Sequence, residues 1–148
     1  MKVVLILSVL WVCVENVYTC TCVDIPTNGC NSDYSILGTI IGVIPLGTPP
    51  NDARIYNVLV NRIYKANRPL LPLVRIRAYV GGSLCGLLLD RGRQYVISGS
   101  FDNDNGTMRT NHCLYTRLLT EIPFRERWNL YCYNQRRESY PQRKIQAR

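Results

Sequence analysis

Cys20 and Cys22 are separated by a single residue, and this pair constrains the fold more than any other feature of the chain. Two cysteines so close cannot easily bridge each other, so each must reach a distant partner. An ordinary chain end frays, whereas one tied at two neighbouring points is held extended and rigid. Taken alone, such a pair describes a stapled edge strand. The chain carries seven cysteines in 148 residues, a density typical of disulfide frameworks or metal knuckles rather than cytosolic enzymes. Its one histidine is His112, which leaves a His-built metal site or a Ser-His-Asp hydrolase almost nothing to draw on. No glycine-rich phosphate loop can be read.

The first residues read as an address. Met1-Lys2 is a basic start, Val3 to Val14 is apolar apart from Ser8, and Glu15 to Thr19 turns polar. The apolar run is too short to span a bilayer and suits a signal-peptide core. The expectation is a secreted, extracellular protein with residues 1–19 removed and no membrane span. Cys13 leaves with the leader. Cys20, Cys22, Cys30, Cys85, Cys113 and Cys132 remain, an even number that permits 15 pairings. Asn105-Gly106-Thr107 is a sequon in the polar stretch Asp102 to Thr107, so Asn105 is a candidate glycosylation site.

Strand signals dominate the mature chain. Ile36 to Ile44 is apolar and β-branched, closed by Pro45, Gly47 and Pro49-Pro50. Tyr56, Val58 and Val60 alternate with Asn57, Leu59 and Asn61, and Val74, Ile76 and Ala78 alternate with Arg75, Arg77 and Tyr79. Gln94 to Phe101 and Met108 to Tyr115 supply two more strands, joined by the Asp102–Gly106 loop. Thr116 to Trp128 has roughly helical spacing interrupted by Pro123, and Asn31-Ser32-Asp33 is placed to cap a helical turn. Five strands with short flanking helices suit a mainly β, OB-like Greek-key barrel, with a sandwich as the alternative. Arg75 and Arg77 read as a solvated strand face, His112 as an exposed or hydrogen-bonded strand residue, and Trp128 as core cover.

The chain carries a net charge of +8. Residues 133–148 read as a mobile basic tail, with Arg136, Arg137, Arg143, Lys144 and Arg148 against Glu138. Such a cluster suits heparin-like polyanions. Ten tyrosines on a basic OB-type barrel would also suit single-stranded nucleic acid, but the leader and six paired cysteines argue against that partner.

With Cys20 as the first residue, its α-amine and carbonyl oxygen form a five-membered chelate. An α-amine has a pKa of roughly 7.7–8.0, so a useful fraction is neutral near pH 7 and able to bind zinc. Catalytic zinc sites keep one position open for water or substrate, and a rigid amino terminus can fill it.

Cys20-Thr21-Cys22-Val23, Cys30-Asn31-Ser32-Asp33 and Ile63-Tyr64-Lys65 resemble the N-terminal domain of the tissue inhibitors of metalloproteinases. Ser83-Leu84-Cys85-Gly86 is similar to that family's second contact loop, and Tyr95-Val96-Ile97-Ser98-Gly99, Cys113 and Cys132 follow in its order. The resemblance spans Cys20 to Cys132. It implies a netrin-like barrel over residues 20–132 with bridges Cys20–Cys85, Cys22–Cys113 and Cys30–Cys132. Loops this long give roughly 4 kcal/mol per bridge in the chain-entropy picture. It also implies a monomeric protease inhibitor, not an enzyme, with no cofactor of its own. Cys20 would chelate the zinc of an extracellular metalloproteinase, and Thr21 would enter the main specificity pocket. Cys22 and Val23 would follow along the primed side, with Ser83 and Leu84 on the unprimed side.

The chain is similar to single-domain forms from invertebrates such as nematodes, with a basic tail where vertebrate members carry a second domain. Gly81-Gly82 stands where the family has bulkier contact residues, which implies reduced affinity or selectivity. A netrin-like module that engages a receptor or matrix polyanion without inhibiting a protease is the alternative function.

Overall fold

The computed structural model describes residues 20–48, 52–81, 85–103 and 106–132. The leader 1–19, Ser83, Leu84, Asn105 and the basic tail 133–148 lie outside these residues. Six strands run in the order β1 (Tyr34–Leu46), β2 (Ala53–Ala66), β3 (Leu73–Tyr79), β4 (Gln94–Phe101), β5 (Met108–Arg109) and β6 (Thr116–Leu118).

Five of them close a ring. β1 pairs antiparallel with β2, β2 with β3, and β4 with both β5 and β1. β3 and β5 run parallel, so the order β1-β2-β3-β5-β4 returns to β1. This is the expected OB-like barrel rather than a sandwich. β1 uses both of its edges over Tyr34–Thr39, and its register with β2 shifts between Ser35 and Ile36, Leu37 and Gly38, and Ile40 and Gly42. Such irregularities bend a strand and increase its twist, which lets one long strand wrap the barrel.

The core follows the alternation. Tyr56 and Val58 on β2, and Val74, Ile76 and Ala78 on β3, turn into the barrel to meet Tyr34, Ile36 and Ile40 from β1. Each fully buried aliphatic side chain stabilises by about 1.5–3 kcal/mol. β4 is buried on both faces. Tyr95 and Ile97 enter the barrel core, while Val96 joins Tyr115, Ile122 and Leu130 in a second cluster outside the wall.

Several local expectations are corrected. Only Met108–Arg109 of the Met108–Tyr115 run is strand; a turn at 111–114 follows, closed by the Leu114 amide on the Asn111 carbonyl. Thr116–Leu118 is strand rather than helix, because its backbone pairs with Tyr95–Ile97 of β4. The helices beyond it are short 3₁₀ turns, Leu119–Glu121 and Phe124–Leu130, parted at Pro123 as anticipated. No helix follows Asn31-Ser32-Asp33, since β1 begins at Tyr34. The Asp33 carboxylate instead accepts from the Phe101 amide and the Asn67 side chain, both at 3.1 Å. Trp128 is 62% exposed and does not cover the core.

The closest passage in the wall is at Gly99. A β-carbon there would overlap the Arg109 carbonyl and the Tyr34 ring. Tyr34 is fully buried, its hydroxyl donates to that same carbonyl at 2.9 Å, and burial pushes its ionisation far above the ordinary range. Gly99→Ala is therefore expected to cost about 3 kcal/mol, the upper end for overpacking. Tyr34→Phe, which removes one hydroxyl, should cost about 1 kcal/mol. Urea unfolding followed by circular dichroism measures both, and equal costs would show that the wall yields at this point.

Candidate functional site

The three disulfides are Cys20–Cys85, Cys22–Cys113 and Cys30–Cys132, with sequence separations of 65, 91 and 102. The structure thus has the pairing that the resemblance implied. The first two bridges touch. The Cys113 sulfur lies 3.6 Å from the Cys20 sulfur and 3.6 Å from the Cys85 sulfur. These are packing contacts, because a disulfide sulfur has no proton to donate. The Cys20, Cys22 and Cys113 sulfurs gather within 4.8 Å of one another, as in a metal cluster. Metal ligation needs thiolates, and each of these sulfurs is already bonded to another.

The two bridges bring three segments to one edge of the barrel. Residues 20–23 lie there with alternating exposure. Cys20 and Cys22 are half-buried, Thr21 is exposed, and Val23 is 95% exposed. Fixing both cysteines inward leaves the two residues between and after them directed outward.

The second segment is centred on Cys85. Cys85 has a φ of 53°, a left-handed conformation that L-residues with side chains seldom adopt. It is held there by its bridge to Cys20 and by the His112 amide, which donates to the Cys85 carbonyl at 2.9 Å. Gly86 follows because a β-carbon at that position would strike the Val80 and Gly81 carbonyls. Beyond it the Leu87 amide bonds to the Tyr79 carbonyl at 2.8 Å. Core tyrosines fix what comes next. The Tyr56 hydroxyl donates to the Leu87 carbonyl and accepts from the Leu89 amide.

The third segment is the turn at 111–114. The Asn111 side chain accepts from the Cys113 amide at 3.0 Å, and Asn28 does the same for the Cys30 amide at 3.0 Å. Both are Asn-x-Cys sequences in which the amide oxygen shapes a turn just before a bridging cysteine. Sequence reasoning had placed Asn111 inside a strand. The signal that would have found it is this repeated spacing.

His112 is exposed in the turn rather than in a strand, at one side of a cleft of about 690 Å³ that also holds Ile25, Tyr115 and Glu126. Arg75 is exposed as expected, whereas Arg77 is half-buried and lies over the Tyr79 ring. At the third bridge the Lys65 ammonium donates to the Cys30 carbonyl at 2.7 Å, so Lys65 supports the frame. Of the expected contact residues, the structure brings Cys20, Thr21, Cys22 and Val23 together on one edge.

A family model described as tissue inhibitor of metalloproteinase matches residues 18–138. No curated protein matches the chain. Among the described residues no helix is long and apolar enough to cross a membrane.

The two touching bridges have a separable role. Cys22→Ala/Cys113→Ala is expected to raise amide hydrogen exchange at Thr21 and Val23 well above that of the barrel strands. Cys30→Ala/Cys132→Ala should lower global stability comparably, by about 4 kcal/mol, without adding local opening at 21–23. Native-state exchange read by mass spectrometry distinguishes the two, and identical patterns would show that the edge needs no second anchor.

Proposed function

The chain belongs to the tissue inhibitor of metalloproteinase family, and from that premise we propose that its secreted form inhibits extracellular zinc metalloproteinases by inserting residues 20–23 into the protease cleft as a wedge. The observation that carries this reading is the doubly anchored edge, with Cys20 and Cys22 turned in and Thr21 and Val23 turned out. Pre-ordering lowers the entropy lost on binding by about 0.5–1.5 kcal/mol for each side chain held in advance.

In this proposal the leader is removed after Thr19. The free α-amine and the carbonyl of Cys20 then chelate the zinc of the protease, in the position that a substrate or water would take. Thr21 enters the pocket for the residue after the scissile bond, and Cys22 and Val23 continue along the primed side. Ser83 and Leu84, joined to Cys20 through Cys85, lie on the unprimed side. The zinc is the target's, and the inhibitor contributes only ligand atoms. The basic tail solvates the chain or meets heparin-like polyanions, and Asn105 is the site for a glycan.

The α-amine is the discriminating group. One Ala retained before Cys20 converts the amine into an amide, whose lone pair is delocalised and unavailable to zinc. Inhibition should fall by orders of magnitude while circular dichroism stays unchanged. The measurement is a titration of a panel of zinc endopeptidases with the native and Ala-extended proteins. Equal inhibition would remove zinc chelation by Cys20. No inhibition by either form would favour the netrin-like binding module.

Position 21 sets selectivity in this reading. Thr21→Gly should weaken binding by about 1–2 kcal/mol through lost apolar burial. Thr21→Arg should separate proteases with deep pockets from those with shallow ones. Inhibition constants that ignore position 21 across the panel would place it outside the contact.

A further inference from the structure

Beside the anchored edge is a second, polar pocket of about 280 Å³. Arg77 and Arg109 line it, together with Tyr79, Ser100, Thr110 and Asn111. The two arginines face each other in register across the parallel β3–β5 pair. Each guanidinium group has a partner that positions it. Arg77 lies 5.3 Å above the Tyr79 ring centroid, and Arg109 is paired with the Asp102 carboxylate. Yet the Nε atom of each is buried without a hydrogen-bond partner. A buried donor left unpaired costs free energy, and the two arginines that carry such donors both line this cavity. No acidic side chain is among the lining residues, and Asp102 offsets only one of the two positive charges.

The missing complement is a group with acceptor oxygens and negative charge. Guanidinium groups recognise such oxyanions through paired, charge-assisted hydrogen bonds. The location narrows the source. One wall is the end of β3, which leads into the loop carrying Cys85; the other is the 109–114 segment, which carries Cys113. The pocket therefore borders the same edge as residues 20–23. Its volume suits one side chain better than a polymer. We propose that this pocket is an oxyanion site, and that in the inhibited complex it receives the carboxylate of an acidic side chain on the rim of the protease cleft. The proposal rests on the wedge reading and adds to it a contact away from the zinc.

The test has two arms. In the first, the Arg Nε–H resonances of the native protein are followed by NMR as sodium acetate replaces sodium chloride at constant ionic strength. The Arg77 and Arg109 signals should shift saturably, and Arg77→Gln should abolish the Arg109 response. Absence of a saturable, acetate-specific shift overturns the site. In the second, native protein, Arg77→Gln and Arg77→Lys, all checked by thermal unfolding, are titrated against a panel of zinc endopeptidases. Arg77→Gln should weaken inhibition about tenfold for at least one protease, with a loss that shrinks as salt rises. Arg77→Lys, which keeps the charge and loses the planar fork, should fall between the two.

Equal inhibition of every protease by all three proteins overturns the proposed occupant while leaving the wedge intact. Lower heparin-column retention by Arg77→Gln with unchanged inhibition assigns the pocket to a sulfated polysaccharide and also overturns the proposal. If the native protein inhibits no protease, the wedge reading fails and the proposed occupant fails with it. The acetate arm then still reports on the oxyanion site.

Discussion

The contact between the Cys20–Cys85 and Cys22–Cys113 bridges is the constraint on which the anchored edge depends. Three segments distant in sequence meet there: residues 20–23, the loop leaving β3, and the turn after β5. Among their described residues none lies in a strand or helix, so no ladder of backbone hydrogen bonds holds these together. The barrel supplies the platform. Because β1 pairs with both β2 and β4, the ring closes, and the ends of β3 and β5 are fixed beside each other. The cysteines then need only short reaches, with Cα separations of 5.1 and 5.3 Å.

What was legible in the sequence follows from how far each signal reaches. Alternation in Val74 to Tyr79 depends on one strand with one buried face, and the structure keeps it. The apolar run at 94–101 declared a strand, but its burial on both faces depends on Ile122 and Leu130, which pack on Val96 from far along the chain. The turn at 111–114 lies inside the mixed run Met108–Tyr115, which reads as a strand. There the hydrogen bond that the Cys113 amide donates to the Asn111 side chain, and the pull of Cys113 toward Cys22, override local preference. Thr116–Leu118 reads as helical by spacing and is made strand by the free edge of β4. The cysteine pairing is not contained in spacing at all; the family resemblance carried it. The outward direction of Thr21 and Val23 follows once both neighbouring cysteines are tied down.

Rigidity at this edge has a local cost. Cys85 occupies a left-handed backbone well, a strain of order 1–3 kcal/mol for a residue with a side chain. Gly86 removes a second conflict, with the carbonyls of Val80 and Gly81. The surroundings over-determine the strained residue through one covalent bond and through the His112 amide. Tyr56 and Tyr95 extend that control inward. Their rings fill the barrel core while their hydroxyls hold the backbone of residues 87–90. A mutation in the core at Tyr56 would therefore act on the edge through the loop that follows Cys85, although Tyr56 is fully buried.

Exposure alone does not mark a binding surface. Val23, Ile25, Leu71 and Phe124 are all large apolar residues in water, and single cases of this kind are ordinary on any protein. Val23 differs in its backbone. It follows a residue covalently fixed to the barrel, and Cys20 is fixed two positions before that. An exposed apolar side chain on a loose terminus must be ordered before it binds, and that cost cancels much of its burial energy. On a fixed backbone the ordering is already complete when folding and oxidation finish. The same reasoning applies to the arginine pocket. Arg77 is held against Tyr79 and Arg109 against Asp102, so their guanidinium groups are positioned before any acceptor arrives. Both features draw on the segments that carry Cys85 and Cys113. One pair of bridges thus sets the geometry of both contacts proposed for this chain, one apolar beside the target's zinc and one ionic.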